Sequence, residues 1–154
     1  MKAVVQRVLD ASVSVEGAIV GALESGLLVY LGVARDDTEK DAEKLAEKVA
    51  NLRIFNDVEG KMNISLLNLN AQDQAAGALA VSQFTLLADA RKGRRPYYGG
   101  AAEPDQARPL YEYFMERIRG LGLPCSGGVF QAAMKVRYTN DGPVTILLDS
   151  REFI

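Results

Sequence analysis

Gly26-Leu27-Leu28-Val29-Tyr30-Leu31-Gly32-Val33 is an uninterrupted apolar run bounded by glycine, the pattern of a strand buried on both faces, and it predicts a central place in a sheet. Toward the N-terminus, residues 3–8, 11–15 and 18–23 alternate or cluster apolar side chains, with Glu16-Gly17 as a tight turn. These predict an antiparallel meander ahead of the central strand. Toward the C-terminus, Thr38-Glu39-Lys40-Asp41 has the form of a capping box, and Ala42, Leu45, Ala46, Val49 and Leu52 recur at helical spacing. An amphipathic helix over 39–52 is expected. Short strands are expected at 53–55 and 61–65, around a turn at 57–60, then a polar connection over 68–77 and a strand over 78–87. Pro104 opens a second helix with Ala107, Leu110, Phe114, Ile118 and Leu121 on one face, ended by Gly120 and Gly122. Pro109 lies too deep for its first turn and predicts a kink or a later start. Strands over 134–139 and 144–148, joined through a hairpin-like turn at 140–143, close the chain. The order of strands, helix, strands, helix, strands favours an α+β class: one domain over 1–154, with a mostly antiparallel, barrel-like sheet and two main helices.

The composition narrows the chemistry. Of the 154 residues 48% are hydrophobic and 25% charged, ordinary globular usage, and no apolar run reaches the length that spans a bilayer. The start, Met1 to Val8, turns polar at Gln6 and Arg7, unlike a secretory signal, so the cytoplasm is the expected compartment. Cys125 is the only cysteine; beside Pro124 it reads as a small, half-buried residue rather than a nucleophile. Histidine is absent, which removes Ser-His-Asp and Cys-His catalysis and most zinc and iron sites, so neither a metal nor a cofactor is expected. The net charge is −2, yet Arg91, Lys92, Arg94 and Arg95 fall within five residues, and without those four positive charges it would be −6. The positive field is local.

Three stretches stand out for chemistry. On a strand over 78–87, period-two geometry sets Ala80, Ser82, Phe84 and Leu86 on one face and Val81, Gln83, Thr85 and Leu87 on the other. Ser82, Gln83 and Thr85 either bond neighbouring backbone or emerge at a pocket. Asn140-Asp141-Gly142-Pro143-Val144-Thr145 is either a plain hairpin turn or one whose Gly-Pro bond is cis and aims its carbonyls unusually. Residues 92–105 read as a mobile surface loop. Its basic cluster beside Tyr97 and Tyr98 is either solvated charge or a surface for a phosphate backbone and a stacked base.

Residues 1–8, Asn51-Leu52-Arg53-Ile54-Phe55, Gly60-Lys61-Met62-Asn63, Ser82-Gln83-Phe84-Thr85-Leu86, Arg91-Lys92-Gly93-Arg94-Arg95-Pro96 and 140–145 together resemble the D-aminoacyl-tRNA deacylases, in order along nearly the whole chain. The resemblance implies hydrolysis of the ester joining a D-amino acid to the terminal adenosine of tRNA, and in this family also of glycine mischarged on tRNA(Ala). It implies a homodimer acting on aminoacylated tRNA, with no DNA or membrane partner. Gly142 and Pro143 would form a cis pair reaching into the partner subunit's pocket and excluding an L side chain, with Arg7 holding the turn. Ser82, Gln83, Phe84 and Thr85 would line the adenosine and the ester as the catalytic set, Phe130 and Met134 would support it, and Arg91, Lys92, Arg94 and Arg95 would contact tRNA. Thr85 has no histidine or motif-matched lysine to activate it, so a positioned water assisted by the terminal 2′-hydroxyl is expected instead. A protein of the same fold that only holds the aminoacylated 3′ end is the alternative. Departures are Gln131-Ala132-Ala133-Met134, where the family commonly has Gly-Ala-Asp-Met, and Leu87-Ala88-Asp89-Ala90 for a frequent Tyr-Ala-Asp-Thr. The polar connection at 68–77 also reads as longer than usual.

Overall fold

The computed structural model describes residues 1–72 and 75–152. Its frame is a hairpin of two long strands, β1 (Lys2–Val15) and β2 (Ala18–Gly32), antiparallel from Lys2↔Gly32 to Val15↔Ala18. The three short N-terminal strands and the central run are therefore segments of two continuous ones, reversed at Glu16-Gly17. After β2 come α1 (Glu39–Asn51), the small pair β3 (Phe55–Asn56) and β4 (Met62–Ile64), α2 (Leu66–Ala71) and β5 (Gly77–Ser82). A 3-10 turn (Phe84–Leu87), α3 (Pro104–Gly120), β6 (Cys125–Gly127) and β7 (Met134–Asp149) follow.

The five-stranded sheet has the order β6-β5-β2-β1-β7. The α+β class holds, and the sheet is mixed: β1 pairs antiparallel with β2 and β7, whereas β2–β5 and β5–β6 are parallel. As the glycine-bounded run requires, β2 lies in the middle, and Leu27, Leu28, Val29 and Leu31 are buried on alternating sides. Leu27, Val29 and Leu31 join Leu45, Ala46 and Val49 of α1 and Phe114 and Ile118 of α3 in the main core. Each large aliphatic side chain so buried contributes about 1.5–3 kcal/mol. Leu28 faces the other way, with Val8, Val13, Leu79 and Val81, in a second cluster to which no helical residue belongs.

Four expectations need correction. Within the connection at 68–77 lies α2, whose start is a reciprocal cap: Asn68 N–H donates to Ser65 Oγ and Ser65 N–H to Asn68 Oδ1, both at 3.2 Å. Leu66 and Leu69 give this short helix its buried side; residues 73 and 74 lie outside the described residues. The strand over 78–87 ends at Ser82, because Gln83 N–H takes the last sheet bond, to Leu31 O at 2.8 Å, and the chain then tightens through Leu86 N–H to Gln83 O at 3.2 Å. Residues 134–149 form one strand rather than a hairpin, since both halves pair antiparallel with the same β1. Finally, α3 opens at Pro104 as expected and continues past Pro109, so the later start does not occur. Proline there lacks the N–H that would reach the carbonyl of Asp105, but both residues are exposed, so water serves that carbonyl.

A buried ion pair closes the end of the sheet. The Met1 ammonium lies 2.8 Å from Asp37 Oδ1 with both groups almost fully buried, and it donates to Ser150 Oγ at 2.5 Å. Asp37 Oδ2 accepts from Ala34 N–H at 2.6 Å. Asp37→Ala strands a buried charge and an unpaired amide; urea unfolding should register a loss of about 3–5 kcal/mol, and a loss under about 1 kcal/mol would contradict this role.

Candidate active site

Where β5 ends, the 3-10 turn packs on the central strand. A side chain at Gly32 would meet Leu87 Cδ2 at 2.5 Å and Gln83 O at 3.0 Å, so only glycine lets Phe84–Leu87 sit so close to β2. The turn lifts Gln83 and Phe84 out of strand geometry into a cleft of about 630 Å³, bounded also by the start of α3 and by residues 130–136. Five of the candidate site residues, Ser82, Gln83, Phe84, Phe130 and Met134, line it. Thr85 stands beside that lining, its Oγ1 accepting from Gln83 Nε2. An amide donor cannot take a proton from a hydroxyl, so Thr85 is oriented rather than activated.

Two aromatic pairs flank the cleft. Phe84 meets Tyr98 edge to face at 5.1 Å, with Phe84 58% exposed, a large open ring face beside a cavity. Across from them, Phe130 packs on Tyr111 at 6.0 Å, and the Arg108 guanidinium lies 5.0 Å from the Phe130 centroid. Tyr111 donates its hydroxyl to Ala80 O at 2.9 Å, and burial pushes its pKa up to about 12. It is a neutral donor near pH 7. Tyr98 is one of the two aromatics that the sequence offers for a stacked base, whereas no motif points to Tyr111. Tyr98 lay next to the basic cluster, a usable signal, while Tyr111 is hidden among the core positions of α3.

Arg7, Gly142 and Pro143 form a separate group. Between Val8↔Asn140 and Gln6↔Thr145, β7 takes five steps against two of β1, so residues 141–144 bulge outward opposite Arg7. The Gly142–Pro143 bond is cis. Buried Arg7 donates from Nη1 to Ile54 O at 2.7 Å, and its Nε lies 2.9 Å from Asp141 Oδ2, an ion pair without hydrogen-bond alignment. Asn140 Nδ2 donates to Arg7 O and Val144 O, each at 3.0 Å, pinning the base of the bulge. Gly142 has φ +122, and a Cβ there would meet Val144 Cγ2 at 2.8 Å and Arg7 Nη2 at 3.2 Å. Gly142 and Pro143 are exposed and do not line this chain's own cleft.

The basic cluster is a third group, also outside the cleft lining. Asp89 and Tyr97 exchange backbone hydrogen bonds at 2.7 and 2.9 Å and close the base of the loop. Arg91 is bound by Asp89 through Nε at 2.9 Å and Nη2 at 2.6 Å, and this contact holds the Asp89 carboxyl well below the usual carboxylate range. Among the described residues, Lys92, Arg94 and Arg95 have no carboxylate partner and are exposed. Three of the four cations are thus available to an external anion.

Fold and site together define an α+β protein with an imidazole-free cleft flanked by aromatics. Residues 4–149 match the family described as D-Tyr-tRNA(Tyr) deacylase. The chain is 59% identical over 152 residues to a D-aminoacyl-tRNA deacylase of Koribacter versatilis, and 55% identical over 152 residues to one of Fervidobacterium nodosum. In both comparisons 99% of each chain is covered. A solved structure described as c-Myc DNA Unwinding Element Binding Protein superposes with TM-score 0.87 at 40% identity, covering 97% of this chain and 98% of that one. Another, a probable eukaryotic D-amino acid tRNA deacylase, superposes with TM-score 0.79 at 18% identity over 96% and 97% of the two chains, a likeness of fold. The chain belongs to the D-Tyr-tRNA(Tyr) deacylase family. Its reaction is hydrolysis of D-aminoacyl-tRNA to free tRNA and a D-amino acid.

Cys125 has no place in that chemistry. Burial pushes its thiol up to about 11, so it is protonated at neutral pH. Cys125→Ala should leave kcat/KM for D-Tyr-tRNA within about twofold of wild type, since no thiolate is available to lose; a large loss would reinstate the thiol.

Proposed function

We propose that the ester is hydrolysed in the cleft at the end of β5, completed by the Gly142-Pro143 turn of a second copy of the chain. The observation that carries this reading is the bulge at 141–144: a turn fixed by Arg7 and Asn140, with Gly142 and Pro143 exposed at its tip and absent from the lining of their own cleft. A rigid exposed turn in one copy and an open cleft in another are complementary in a two-fold dimer, where each subunit offers both halves.

In this arrangement the terminal adenosine rests against Phe84, with Ser82 and Gln83 at the ester, Phe130 and Met134 walling the cleft, and Thr85 holding Gln83. Backbone N–H groups at the turn face the developing oxyanion. Water adds to the ester carbonyl. The carbon–oxygen bond to the ribose then breaks, the neighbouring 2′-hydroxyl giving its proton to the leaving 3′-oxygen and taking in its place the proton that the added water releases. The partner's turn presents carbonyls to the substrate α-amino group and leaves no room for an L side chain, so chirality is read by backbone. Glycine lacks that side chain, and glycyl-tRNA(Ala) fits as a second substrate. Lys92, Arg94 and Arg95, with Arg91 behind them, take tRNA phosphates. Among the described residues no helix is long and apolar enough to cross a membrane, and a tRNA substrate supports a cytoplasmic location.

Complementation tests the composite site. Gly142→Ala damages the turn and Gln83→Ala the cleft. Each alone should lose most activity, and subunit exchange should restore about a quarter of the wild-type rate, because half the dimers regain one intact site. No recovery in verified mixed dimers would overturn the cross-subunit site. A terminal 2′-deoxyadenosine substrate should be hydrolysed at least about tenfold more slowly, the loss expected of a missing proton carrier; normal hydrolysis would remove the ribose from the mechanism. Replacing Arg94 and Arg95 with Ala should reduce the slope of log affinity for tRNA against log salt by about two. An unchanged slope, or release of tRNA by an equal amount of duplex DNA, would assign that loop another role.

A further inference from the structure

Arg108 is the most unusual cation outside the basic loop. It is exposed on α3, with Asp105 three residues before it and Glu112 four after, both within ordinary reach of a helical ion pair. Yet it pairs with neither. Its guanidinium turns to the cleft instead, lying 5.0 Å from the Phe130 centroid and donating from Nη2 to Gln131 Oε1 at 3.4 Å. Both of those residues line the cleft.

Gln131 supplies an independent observation. Its φ is +66, a left-handed backbone that a residue other than glycine adopts at an energetic cost. The chain accepts that cost at the position whose side chain meets Arg108. A ring face, an amide oxygen and a left-handed backbone therefore fix one cation beside the cleft, whose charged lining residues Arg35 and Glu103 pair with each other at 3.8 Å.

We propose that Arg108 is an anion-recognition residue of the substrate cleft, contacting a negative group carried by the aminoacylated end. Resting on the assignment of this cleft to the aminoacyl-adenosine, the proposal admits two sources of that charge: the phosphodiester on the 5′ side of the terminal adenosine, or an acidic amino-acid side chain. A planar guanidinium suits either, since both present two oxygens to its N–H fork.

Non-hydrolysable 3′-amide analogues separate the cases: D-tyrosyl-adenosine with a free 5′-hydroxyl, the same compound with a 5′-phosphate, and D-aspartyl-adenosine with a free 5′-hydroxyl. Their dissociation constants are measured by calorimetry on wild type, Arg108→Gln and Arg108→Lys. Arg108→Gln should weaken binding of one anion-bearing analogue by roughly tenfold or more, leave the analogue without an anionic group within about twofold, and lose its effect at high salt. Arg108→Lys should restore much of the loss. Weakening confined to the phosphorylated analogue identifies the phosphodiester, and weakening confined to the aspartyl analogue identifies the side chain. Equal weakening of all three would reduce Arg108 to a support for Phe130 and overturn the proposal, as would unchanged binding of both anionic analogues. If wild type binds none of the three while still hydrolysing D-Tyr-tRNA, the assignment of the cleft fails, and the proposal with it.

Discussion

The buried guanidinium of Arg7 is the contact on which the remaining architecture depends. It sits where β1 and β7 lose register, bonds the carbonyl of Ile54 beyond the sheet and faces the carboxylate of Asp141. Three parts of the chain are joined at one side chain: the first strand, the segment after α1, and the bulge of the last strand. A bulge in a sheet is ordinarily a local irregularity. Here it is tied into the interior from below by Arg7 and from its flanks by Asn140, so the exposed Gly142-Pro143 pair stands on a fixed base.

The same economy of chemistry appears in the cleft. With no histidine in the chain and the hydroxyl of Thr85 oriented only by the amide of Gln83, the site offers shape, dipoles and ring faces rather than a strong base. An activated ester of an amino acid already hydrolyses readily, so placing water and stabilising the oxyanion suffices for useful acceleration. Selectivity then becomes the harder task. A turn of backbone, lacking side-chain freedom, is well suited to refuse one hand of a substrate while tolerating many side chains on the other.

Much of this was legible in the sequence, and the illegible remainder was non-local. Strand β2 announced itself because a strand buried on both faces must be apolar throughout, and α1 because Asp41 stands where a cap belongs, accepting from Thr38 N–H at 2.9 Å. The end of β5 did not, since apolar Phe84, Leu86 and Leu87 carry on beyond the polar Ser82-Gln83 with no glycine or proline to mark a stop; the turn is set by the space over Gly32, on another strand. The bulge in β7 read as a hairpin because Asn-Asp-Gly-Pro is a reversal signal in isolation. Only the pairing of both flanks with β1 separates the two outcomes. Ser82, Gln83, Phe84, Phe130 and Met134 converge on one cleft, and Tyr98 joins them from beside the basic cluster, whereas Tyr111 enters it through packing that no motif records.

Chiral selection by backbone is the central claim, and the loss of ester from D-Tyr-tRNA and L-Tyr-tRNA, followed side by side with the same preparation, tests it most directly. The account predicts rapid loss of the D ester while the L ester decays at its uncatalysed rate. Comparable acceleration of both esters would contradict it.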